Sequence, residues 1–348
     1  MKDTRNYGID LLRLVLMFMI CVLHVLGKGG VLAAAQSGHH SVYWFMQVLT
    51  FCSVNAFAFM SGYTAKNKLQ KYTKIVEMWF QVWFYSFVLS ILLSLIGFDG
   101  EWSAKVVILR LLPVAAGEFW YFTAYFTLFL VMPMLNKYLF ELDESASRKT
   151  FIVLFVMFSV LGILRDAFCT EYGYSPLWVI VLYCMGVLAR KINLLSKWPT
   201  PLLCLLVLLC TCFTWGEYEL FGTTELFIYI SPAVLVSGIC LVIIFSRFSP
   251  KGTIIKHLSP LAFGIYLFQV SPIVWEKIIN GASAVAASKP IVIGVLYVLM
   301  FAFGIFASGL IVEFLRSKLA QLLGVHRLSE KIVEALDKML TTLGIILR

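Results

Sequence analysis

Long apolar runs recur from one end of this chain to the other, and they limit what it can fold into. Of its 348 residues, 61% are hydrophobic and only 14% are charged, whereas a soluble protein is roughly 45–50% apolar and about 25% charged. A soluble fold of this length has no interior large enough for that excess, because much of the surface of any domain faces water. The sequence therefore predicts an all-α, polytopic membrane protein.

Ten of these runs have the length and polarity of membrane-spanning helices. A helix needs about 20 mostly apolar residues to cross roughly 30 Å of hydrocarbon. The ten segments lie near residues 9–26, 42–63, 75–97, 118–140, 150–168, 177–190, 200–215, 225–246, 257–279 and 290–315. Residues 105–117 are amphipathic and are predicted to form an interfacial or re-entrant piece. We expect residues 1–315 to form one transmembrane domain and residues 316–348 to form an amphipathic tail on the membrane surface.

The basic residues are distributed unevenly between the two sides of this arrangement. The net charge is +9, which in a soluble protein would raise nucleic-acid binding as an option. With the N-terminus in the cytoplasm and ten crossings, 22 of the 28 Lys and Arg residues fall on the cytoplasmic side. Because cytoplasmic loops are rich in Lys and Arg, the bias predicts a cell-membrane protein with both termini in the cytoplasm. The excess of basic residues is then explained by membrane topology, and no nucleic-acid partner is expected.

The first predicted helix carries three ionisable side chains, Asp10, Arg13 and His24. Such residues are costly inside a membrane and are functional candidates by default. At about 100° per residue, Arg13 and His24 lie roughly 20° apart around the helix and Asp10 lies about 40° from His24, so all three share one face. His24 is about 16 Å further along the helix axis than Arg13. The face therefore combines an anion-binding guanidinium near the cytoplasm with a titratable imidazole deeper in the membrane.

Four segments carry motifs in a fixed order. GIDLLR at 8–13 begins the Arg13-x10-His24 spacing, VNAFAFMSGY ends the second apolar segment, FWYFTAYFTLFLVMPMLN occupies 119–136, and FGIYLFQVSP occupies 263–272. The second of these is similar to an Asn-Phe-x-x-x-Ser-Gly-Tyr ending, the third to a Trp-Tyr…Pro helix, and the fourth to a late Gly-Ile-Tyr-Leu segment. In this order and spacing, the motifs resemble the membrane acyltransferase-3 family over nearly the whole chain.

The resemblance implies an integral-membrane O-acyltransferase. It implies transfer of an acyl group, usually acetyl, from cytoplasmic acetyl-CoA to a hydroxyl of an extracytoplasmic cell-envelope polysaccharide or its lipid-linked precursor, either directly or through a separate envelope partner. It also implies that His24 is essential and Arg13 important, so these two are the predicted catalytic residues. A near-neutral imidazole suits removal of a hydroxyl proton, and an acetyl-imidazole intermediate is the alternative. Acetyl-CoA is a substrate, and neither a bound cofactor nor a metal site is expected.

Further residues are candidates for binding the two substrates. The predicted donor-binding residues are Arg13, Ser61, Gly62, Lys68, Lys71 and Lys74, and the predicted substrate-binding residues near the reacting groups are Asn55, Trp120, Tyr121 and Tyr125. Each group has a structural alternative. Arg13 can be a basic anchor paired with Asp10, the lysines can retain a cytoplasmic loop, and the aromatic residues can form an interfacial belt. Asn55 can make a helix–helix hydrogen bond, and Ser61 and Gly62 can allow tight helix packing.

Two positions depart from the family pattern. The late segment commonly carries a histidine where this chain has Gln269, so a role for a second histidine is not expected here. The loop after the second segment usually holds arginines, whereas this loop holds lysines, which lack the bidentate fork for phosphate.

Two alternative functions stay open, a transporter or flippase and a membrane partner related to amino-acid metabolism. The chain lacks the clear internal repeats that transporters favour and the cytoplasmic enzyme domain that usually accompanies the second alternative.

Overall fold

The structure is a computed structural model that describes residues 5–67, 71–100, 102–248, 250 and 252–342. Within these residues it contains helices and turns and no β-strand, which confirms the all-α prediction. The α-helices are α1 Tyr7–Leu26, α2 Val31–Ala34, α3 Ser37–Phe51, α4 Ser53–Tyr63, α5 Tyr72–Trp83, α6 Leu89–Leu95, α7 Ala104–Leu111, α8 Trp120–Glu141, α9 Glu144–Phe155, α10 Pro176–Lys191, α11 Thr200–Phe221, α12 Pro232–Ser246, α13 Thr253–Leu258, α14 Ala262–Gln269, α15 Ile291–Leu322 and α16 Val325–Thr342. Three π-helical segments, Phe84–Val88, Val156–Leu161 and Val274–Ile279, adjoin them.

Among the described residues, six helical stretches are long and apolar enough to cross a membrane, or seven if a bent pair counts as one span. The six are Tyr7–Ala34, Gly38–Tyr63, Tyr72–Leu95, Glu144–Leu164, Thr200–Phe221 and Ile291–Leu322, and the pair is Thr253–Gln269 with Val274–Ser288. The other three predicted segments also fall on helices, namely α8, α10 and α12. Because α10 and α12 have 16 and 15 residues, they are shorter than the roughly 20 that a perpendicular span needs. The chain is a multi-pass membrane protein, and the number of ten spans stays a prediction.

The helix α1 lies at the centre of the bundle, where it packs against α3, α4, α12, α14 and α15. Its N-cap, Asn6, accepts a hydrogen bond from the backbone N–H of Gly8 at 2.9 Å and donates to the carbonyl of Ser246 at 2.7 Å. The cap satisfies backbone donors that the first turn leaves open and ties the helix to the end of α12. A central position lets the polar side chains of α1 face other helices rather than lipid.

The helices α4 and α10 approach each other closely at two glycines. A Cβ at Gly62 would lie 1.9 Å from the carbonyl oxygen of Tyr183, and a Cβ at Gly186 would lie 2.1 Å from the carbonyl oxygen of Phe59. Small residues permit such contacts in membranes, where helix association depends on close packing. The α4–α10 pair therefore forms a close-packed wall beside α1.

Contacts between loops divide the molecule into two ends. At the Arg13 end, Arg190 donates to the carbonyl of Ala65 at 3.3 Å, and Lys191 donates to the carbonyl of Phe140 at 2.9 Å. At the His24 end, the N–H of Gly281 donates to the carbonyl of Lys28 at 3.0 Å, and the indole of Trp215 donates to the carbonyl of Ser41 at 3.1 Å. The predicted cytoplasmic loops named here lie at the Arg13 end and the predicted extracytoplasmic loops lie at the His24 end. This is the arrangement expected if successive helices cross the membrane in alternating directions.

The predicted C-terminal tail, residues 316–348, begins within a helix. The predicted boundary at residue 315 falls inside α15, which continues to Leu322. The amphipathic helix α16 then turns back and packs against α5, where His326 hydrogen-bonds to Glu77. The tail is helical as expected, and its division from the transmembrane domain at residue 315 stays a prediction. The amphipathic segment 105–117 contains the short helix α7.

The chain bends by 73° between Thr253–Gln269 and Val274–Ser288. The helix α14 ends at Gln269, and the π-helical segment Val274–Ile279 begins the second arm. Helical turns of the π type are rare and frequently occur at functional sites. The bend brings Gln269 and Trp275, one from each arm, against the same side chain of α1, His24.

Candidate active site

His24 lies in the last turn of α1, and two residues of the bent segment hold its imidazole. Its Nδ1 is 3.0 Å from Oε1 of Gln269. The ring of Trp275 meets the imidazole edge-on, with 4.8 Å between the ring centroids and an angle of 83° between the planes. No hydrogen bond from another described residue reaches Nε2. One ring nitrogen is therefore held by the protein, and the other is left for a substrate.

A small chamber of about 70 Å³ adjoins the imidazole. Its walls are mainly aromatic and apolar, formed by Met17, Ile20, Val54, Phe57, Trp120, Tyr121, Tyr229, Phe263 and Tyr266. Since a cavity that holds one water needs about 10–15 Å³ on the same scale, the chamber has room for a group of only several heavy atoms. The space around His24 suits a short acyl group and leaves little room for bulk water.

Arg13 forms an ion pair with Asp10 one turn earlier in α1, where its Nη1 donates to Oδ1 of Asp10 at 3.1 Å. The same carboxylate accepts a hydrogen bond from Nε of Arg5. The Asp10 side chain is 5% exposed, whereas those of Arg13 and Arg5 are 37% and 40% exposed. The pairing expected between Asp10 and Arg13 is therefore confirmed, and part of each guanidinium stays open to solvent.

A cavity of about 640 Å³ opens beside this cluster, and we call it the basic cavity. The charged side chains that line it, within the described part of the chain, are Arg5, Asp10, Arg13, Lys66 and Arg190. The N-terminus of α1 also borders it through Asn6 and Ile9, and the partial positive charge of a helix N-terminus favours anions. Four basic groups against one acid give the basic cavity the electrostatics of a phosphate-binding site.

A middle cavity of about 260 Å³ borders both the basic cavity and the chamber. It shares Arg13 with the basic cavity, and it shares Phe57, Tyr121 and Phe263 with the chamber. The three spaces form a cavity series along one face of α1, from Arg13 to His24. The length of this path along the helix axis is about 16 Å, eleven residues at roughly 1.5 Å each.

A comparison with known protein families identifies the chain. The model of the acyltransferase-3 family, described as an acyltransferase domain, matches residues 6–313. The chain belongs to the acyltransferase-3 family. No curated protein and no solved structure matches it. The match runs from the N-cap of α1 into α15 and includes every lining residue of the cavity series of this membrane acyltransferase except Arg5.

The structure of this acyltransferase gathers six of the predicted site residues around the cavity series. His24, Trp120 and Tyr121 line the chamber, Ser61 and Tyr125 line the middle cavity together with Tyr121, and Arg13 lies between the middle and basic cavities. Trp120 also contacts Tyr174 and Tyr229, at centroid distances of 4.9 and 6.1 Å. The aromatic residues at the start of α8 are thus part of a packed cluster that forms one wall of the chamber.

Two other predicted residues of α4 have contacts that fit the structural alternatives. The amide of Asn55 is completely buried: its Nδ2 donates to the carbonyl of Tyr229 at 2.6 Å, and its Oδ1 accepts from the indole of Trp178 at 3.0 Å. Asn55 therefore fixes the chamber wall instead of lining it. Gly62 meets the backbone of α10 at Tyr183 and lines none of the three cavities.

The predicted loop lysines lie apart from the cavity series. Lys71 and Lys74 are exposed at the start of α5 and line none of the three cavities. Lys68 lies outside the described residues. Lys66, two positions earlier in the same loop, lines the basic cavity instead.

Sequence reasoning missed several residues of the site. Arg5 and Arg190 line the basic cavity, and Gln269 and Trp275 contact His24. Arg190 lies in one of the predicted cytoplasmic loops that are rich in basic residues, but no local sequence pattern indicates which of these loops come together in the fold. Gln269 stood out only because a histidine is common at its position.

A fourth, polar cavity of about 610 Å³ lies on the other side of the bent segment, and we call it the outer cavity. Its polar and charged lining residues are Asp99, Arg110, Glu118, Glu276, Lys277 and Asn280. Glu276 follows Trp275 in the chain, and Glu118 precedes Trp120 by two residues. The chain segments that line the outer cavity therefore also supply contacts of the chamber.

Proposed function

We propose that this protein is an integral-membrane O-acetyltransferase of the cell membrane, with both termini in the cytoplasm. It transfers acetyl from cytoplasmic acetyl-CoA to a hydroxyl of an extracytoplasmic cell-envelope polysaccharide or of its lipid-linked precursor. The observation that carries the proposal is the cavity series, in which three neighbouring cavities with shared lining residues run from a cluster of basic side chains to the imidazole of His24.

The basic cavity would hold the phosphorylated nucleotide of the donor. CoA is polyanionic, and Arg5, Arg13 and Arg190 supply charge and hydrogen-bond donors there. The apolar and hydroxyl-bearing walls of the middle cavity suit the thin pantetheine arm. This places the thioester beside His24, in a chamber of about 70 Å³ that favours acetyl over longer acyl chains.

The chemistry needs a base that reaches both substrates, and His24 has a ring nitrogen left for that role. Nε2 takes the proton from the acceptor hydroxyl, and the oxygen forms a bond to the thioester carbon. The carbon–sulfur bond breaks as the tetrahedral intermediate collapses, and the leaving thiolate takes the proton from the imidazolium. In the alternative route Nε2 attacks the thioester carbon and the CoA thiolate leaves as the carbon–sulfur bond breaks. The acceptor hydroxyl then displaces the acetyl group from the imidazole, and its proton passes to the thiolate.

The acceptor would approach from the outer cavity. The carboxylates, amide and cations there can hydrogen-bond sugar hydroxyls, and its volume of about 610 Å³ is within the usual range of small-molecule sites. Because Trp275 contacts His24 and the next residue, Glu276, lines the outer cavity, an acceptor bound there would be close to the base. The proposal holds both for direct transfer to the glycan and for transfer through a separate envelope partner.

The test is acetyl transfer by the purified protein in liposomes. Labelled acetyl-CoA is supplied with a crude envelope fraction, and CoA release and alkali-labile acetyl esters are measured for wild type, His24→Ala and His39→Ala. We expect His24→Ala to lower both rates by about 10²- to 10⁴-fold, the usual contribution of a general base. His39→Ala is the matched control, because His39 lies in the first turn of α3 and lines none of the three cavities of the series, so the substitution should leave the rates unchanged.

Three results contradict the proposal. Full ester formation by His24→Ala would exclude His24 as the base. Binding of acetyl-CoA without any CoA release, in the presence of envelope acceptor, would exclude acyl transfer. Uptake of a solute into the liposomes without consumption of acetyl-CoA would instead support the transporter alternative.

A further inference from the structure

Gln269 is the one polar side chain among the described residues that hydrogen-bonds the imidazole of His24. It is completely buried at the end of α14, and its Oε1 lies 3.0 Å from Nδ1 of His24. A side-chain amide has an oxygen that accepts and a nitrogen that donates, so the orientation of the amide dictates where the imidazole carries its proton. If the oxygen faces Nδ1, the proton is on Nδ1; if the nitrogen faces it, the proton is on Nε2.

The sulfur of Met17 decides between these two orientations. The Nε2 of Gln269 lies 3.6 Å from Sδ of Met17, and a thioether sulfur is a weak acceptor that can receive an N–H but has nothing to donate. Turning the amide over would place its oxygen against the sulfur lone pairs and leave both N–H groups on the imidazole side. The arrangement with the N–H on the sulfur and the oxygen on Nδ1 satisfies both ends of the amide.

We propose that Gln269 is a positioning residue that holds His24 in the tautomer with the proton on Nδ1. Nε2 then carries the lone pair, and it is the nitrogen that no described residue hydrogen-bonds. The inference rests on the proposed function, in which Nε2 acts on the substrates. The role is one that an oriented carboxylate plays in catalytic triads, but here a neutral group performs it.

The fold explains how one glutamine can fix both the tautomer and the ring plane. Gln269 is the last residue of α14, and the 73° bend follows it directly. Trp275, on the other arm of the bend, meets the same ring edge-on at 4.8 Å. The hydrogen bond fixes which imidazole nitrogen carries the proton, and the indole limits rotation of the imidazole ring. The two contacts together determine the orientation of Nε2.

The decisive measurement is the ¹⁵N NMR spectrum of histidine-labelled protein in lipid nanodiscs, at a pH where the imidazoles are neutral. The signals of His24 are identified by their absence from His24→Ala. In the wild type we expect a protonated Nδ1 and an unprotonated Nε2. Gln269→Met keeps the side-chain volume nearly constant and removes the acceptor, so the His24 signals should shift toward the Nε2–H form that free histidine favours.

Acetyl-CoA turnover of the same variants tests the consequence for the reaction. We expect Gln269→Met to lower kcat by about 10- to 100-fold, the usual cost of removing a residue that orients a functional histidine, with less than about a two-fold change in the KM for acetyl-CoA. Gln269→Glu keeps an oxygen acceptor and should restore the Nδ1–H signature and part of kcat. Gln47→Met makes the same change at a buried glutamine of α3 and should alter neither readout.

The outcomes separate this inference from the proposed function. A wild-type spectrum with the proton on Nε2, or an unchanged His24 spectrum in Gln269→Met, would overturn the positioning role even if the enzyme is active. A Gln269→Met protein with altered tautomer but full kcat would also overturn it. If the tautomer responds as expected and no variant turns over acetyl-CoA with envelope acceptor, the proposed function fails while the assignment of the His24 proton to Gln269 stands.

Discussion

Two buried carboxylates in this protein are paired with arginine, and their surroundings differ. Glu313 of α15 accepts two hydrogen bonds from Arg316, both at 2.8 Å, one from Tyr85 at 2.9 Å and one from Gln81 at 3.1 Å. Asp10 of α1 accepts from Arg5 and Arg13. The Arg316 side chain is only 15% exposed, whereas that of Arg13 is 37% exposed.

The difference shows how the same pair of chemical groups can serve two purposes. Each carboxylate oxygen of Glu313 accepts two hydrogen bonds. The cluster links α5 to α15, and little of the Arg316 side chain is exposed for binding a ligand. Around Asp10 one carboxylate anchors two guanidinium groups that line the basic cavity, and Nη2 of Arg5 also donates to the carbonyl of Lys256 and to the hydroxyl of Ser259, both at 3.2 Å. We therefore expect the Glu313 cluster to contribute to stability and the Asp10 cluster to contribute to donor binding.

The largest expected effect is on stability, in Glu313→Ala. Removing the carboxylate leaves Arg316 buried without its counter-ion, which typically costs about 3–5 kcal/mol. Thermal unfolding in detergent should show the loss, and the double variant Glu313→Ala with Arg316→Met should recover part of it because no unpaired charge remains. A Tm equal to that of the wild type would contradict the stabilising role.

The next effect is on donor affinity, in Arg13→Met. Hydrogen bonds to a charged group contribute about 1.5–3 kcal/mol, so we expect acetyl-CoA binding to weaken by about 10- to 100-fold in a calorimetric titration. Arg13→Lys keeps the charge and loses the planar fork, and its affinity should lie between those of wild type and Arg13→Met. Unchanged affinity with a lowered Tm would mean that Arg13, like Arg316, acts as a stabilising counter-ion and does not bind the donor.

A smaller effect is expected for Arg190→Gln. Arg190 lines the basic cavity and bonds to the backbone at Ala65, so it adds mostly long-range attraction. The KM for acetyl-CoA should rise only about two- to five-fold at low ionic strength, and the difference from wild type should shrink at high salt because exposed charges are screened. A difference that persists in high salt would indicate a direct contact with the donor.

The smallest effect concerns a third carboxylate, Glu77. Its partner is a histidine, His326, which carries a positive charge only when it is protonated. The hydrogen bond with Glu77 and the charge of Glu330 raise the pKa of His326 above its ordinary value of 6.5. A raised pKa in the folded state stabilises the contact at low pH, and this contribution is lost as pH rises above 6.5 and through the raised pKa. We expect amide exchange in α16 to be more protected at pH 6 than at pH 8.5.

The control for this pH effect is His326→Gln, which cannot be protonated. Its α16 protection, corrected for the intrinsic exchange rate, should be the same at both pH values. Equal protection in the wild type at both pH values would show that apolar packing of α16 on α5 holds the tail, and that the His326–Glu77 pair contributes nothing measurable.

The parts of the site that sequence predicted are those set by helical geometry alone. Asp10, Arg13 and His24 share one helix, so a period of 3.6 residues is enough to place them on one face and to predict the Asp10–Arg13 pair. The apolar segments likewise depend only on local composition. For these features no knowledge of the tertiary fold was needed.

The parts that sequence left open depend on which distant segments meet. Asn55 and Gly62 are as suitable for a substrate cavity as for a helix–helix contact, and only the position of α10 distinguishes the two. Gln269 and Trp275 reach His24 because the chain bends at a break that contains Pro272, and the proline does not indicate which residue the two arms contact. Arg190 and Arg13 line the same cavity although they lie far apart in the chain. These contacts are set by packing between segments more than a hundred residues apart, and local patterns carry no information about them.

The glycine contacts of α4 and α10 have a mechanical consequence. With backbone against backbone at Gly62 and Gly186, this pair has no side-chain layer to compress and cannot yield when a bulky donor enters. The bent segment, by contrast, contacts α1 through side chains, because Gln269 and Trp275 both meet the imidazole of His24. Any adjustment to a bound substrate would therefore fall on the side that carries Gln269 and Trp275 and not on the α4–α10 pair.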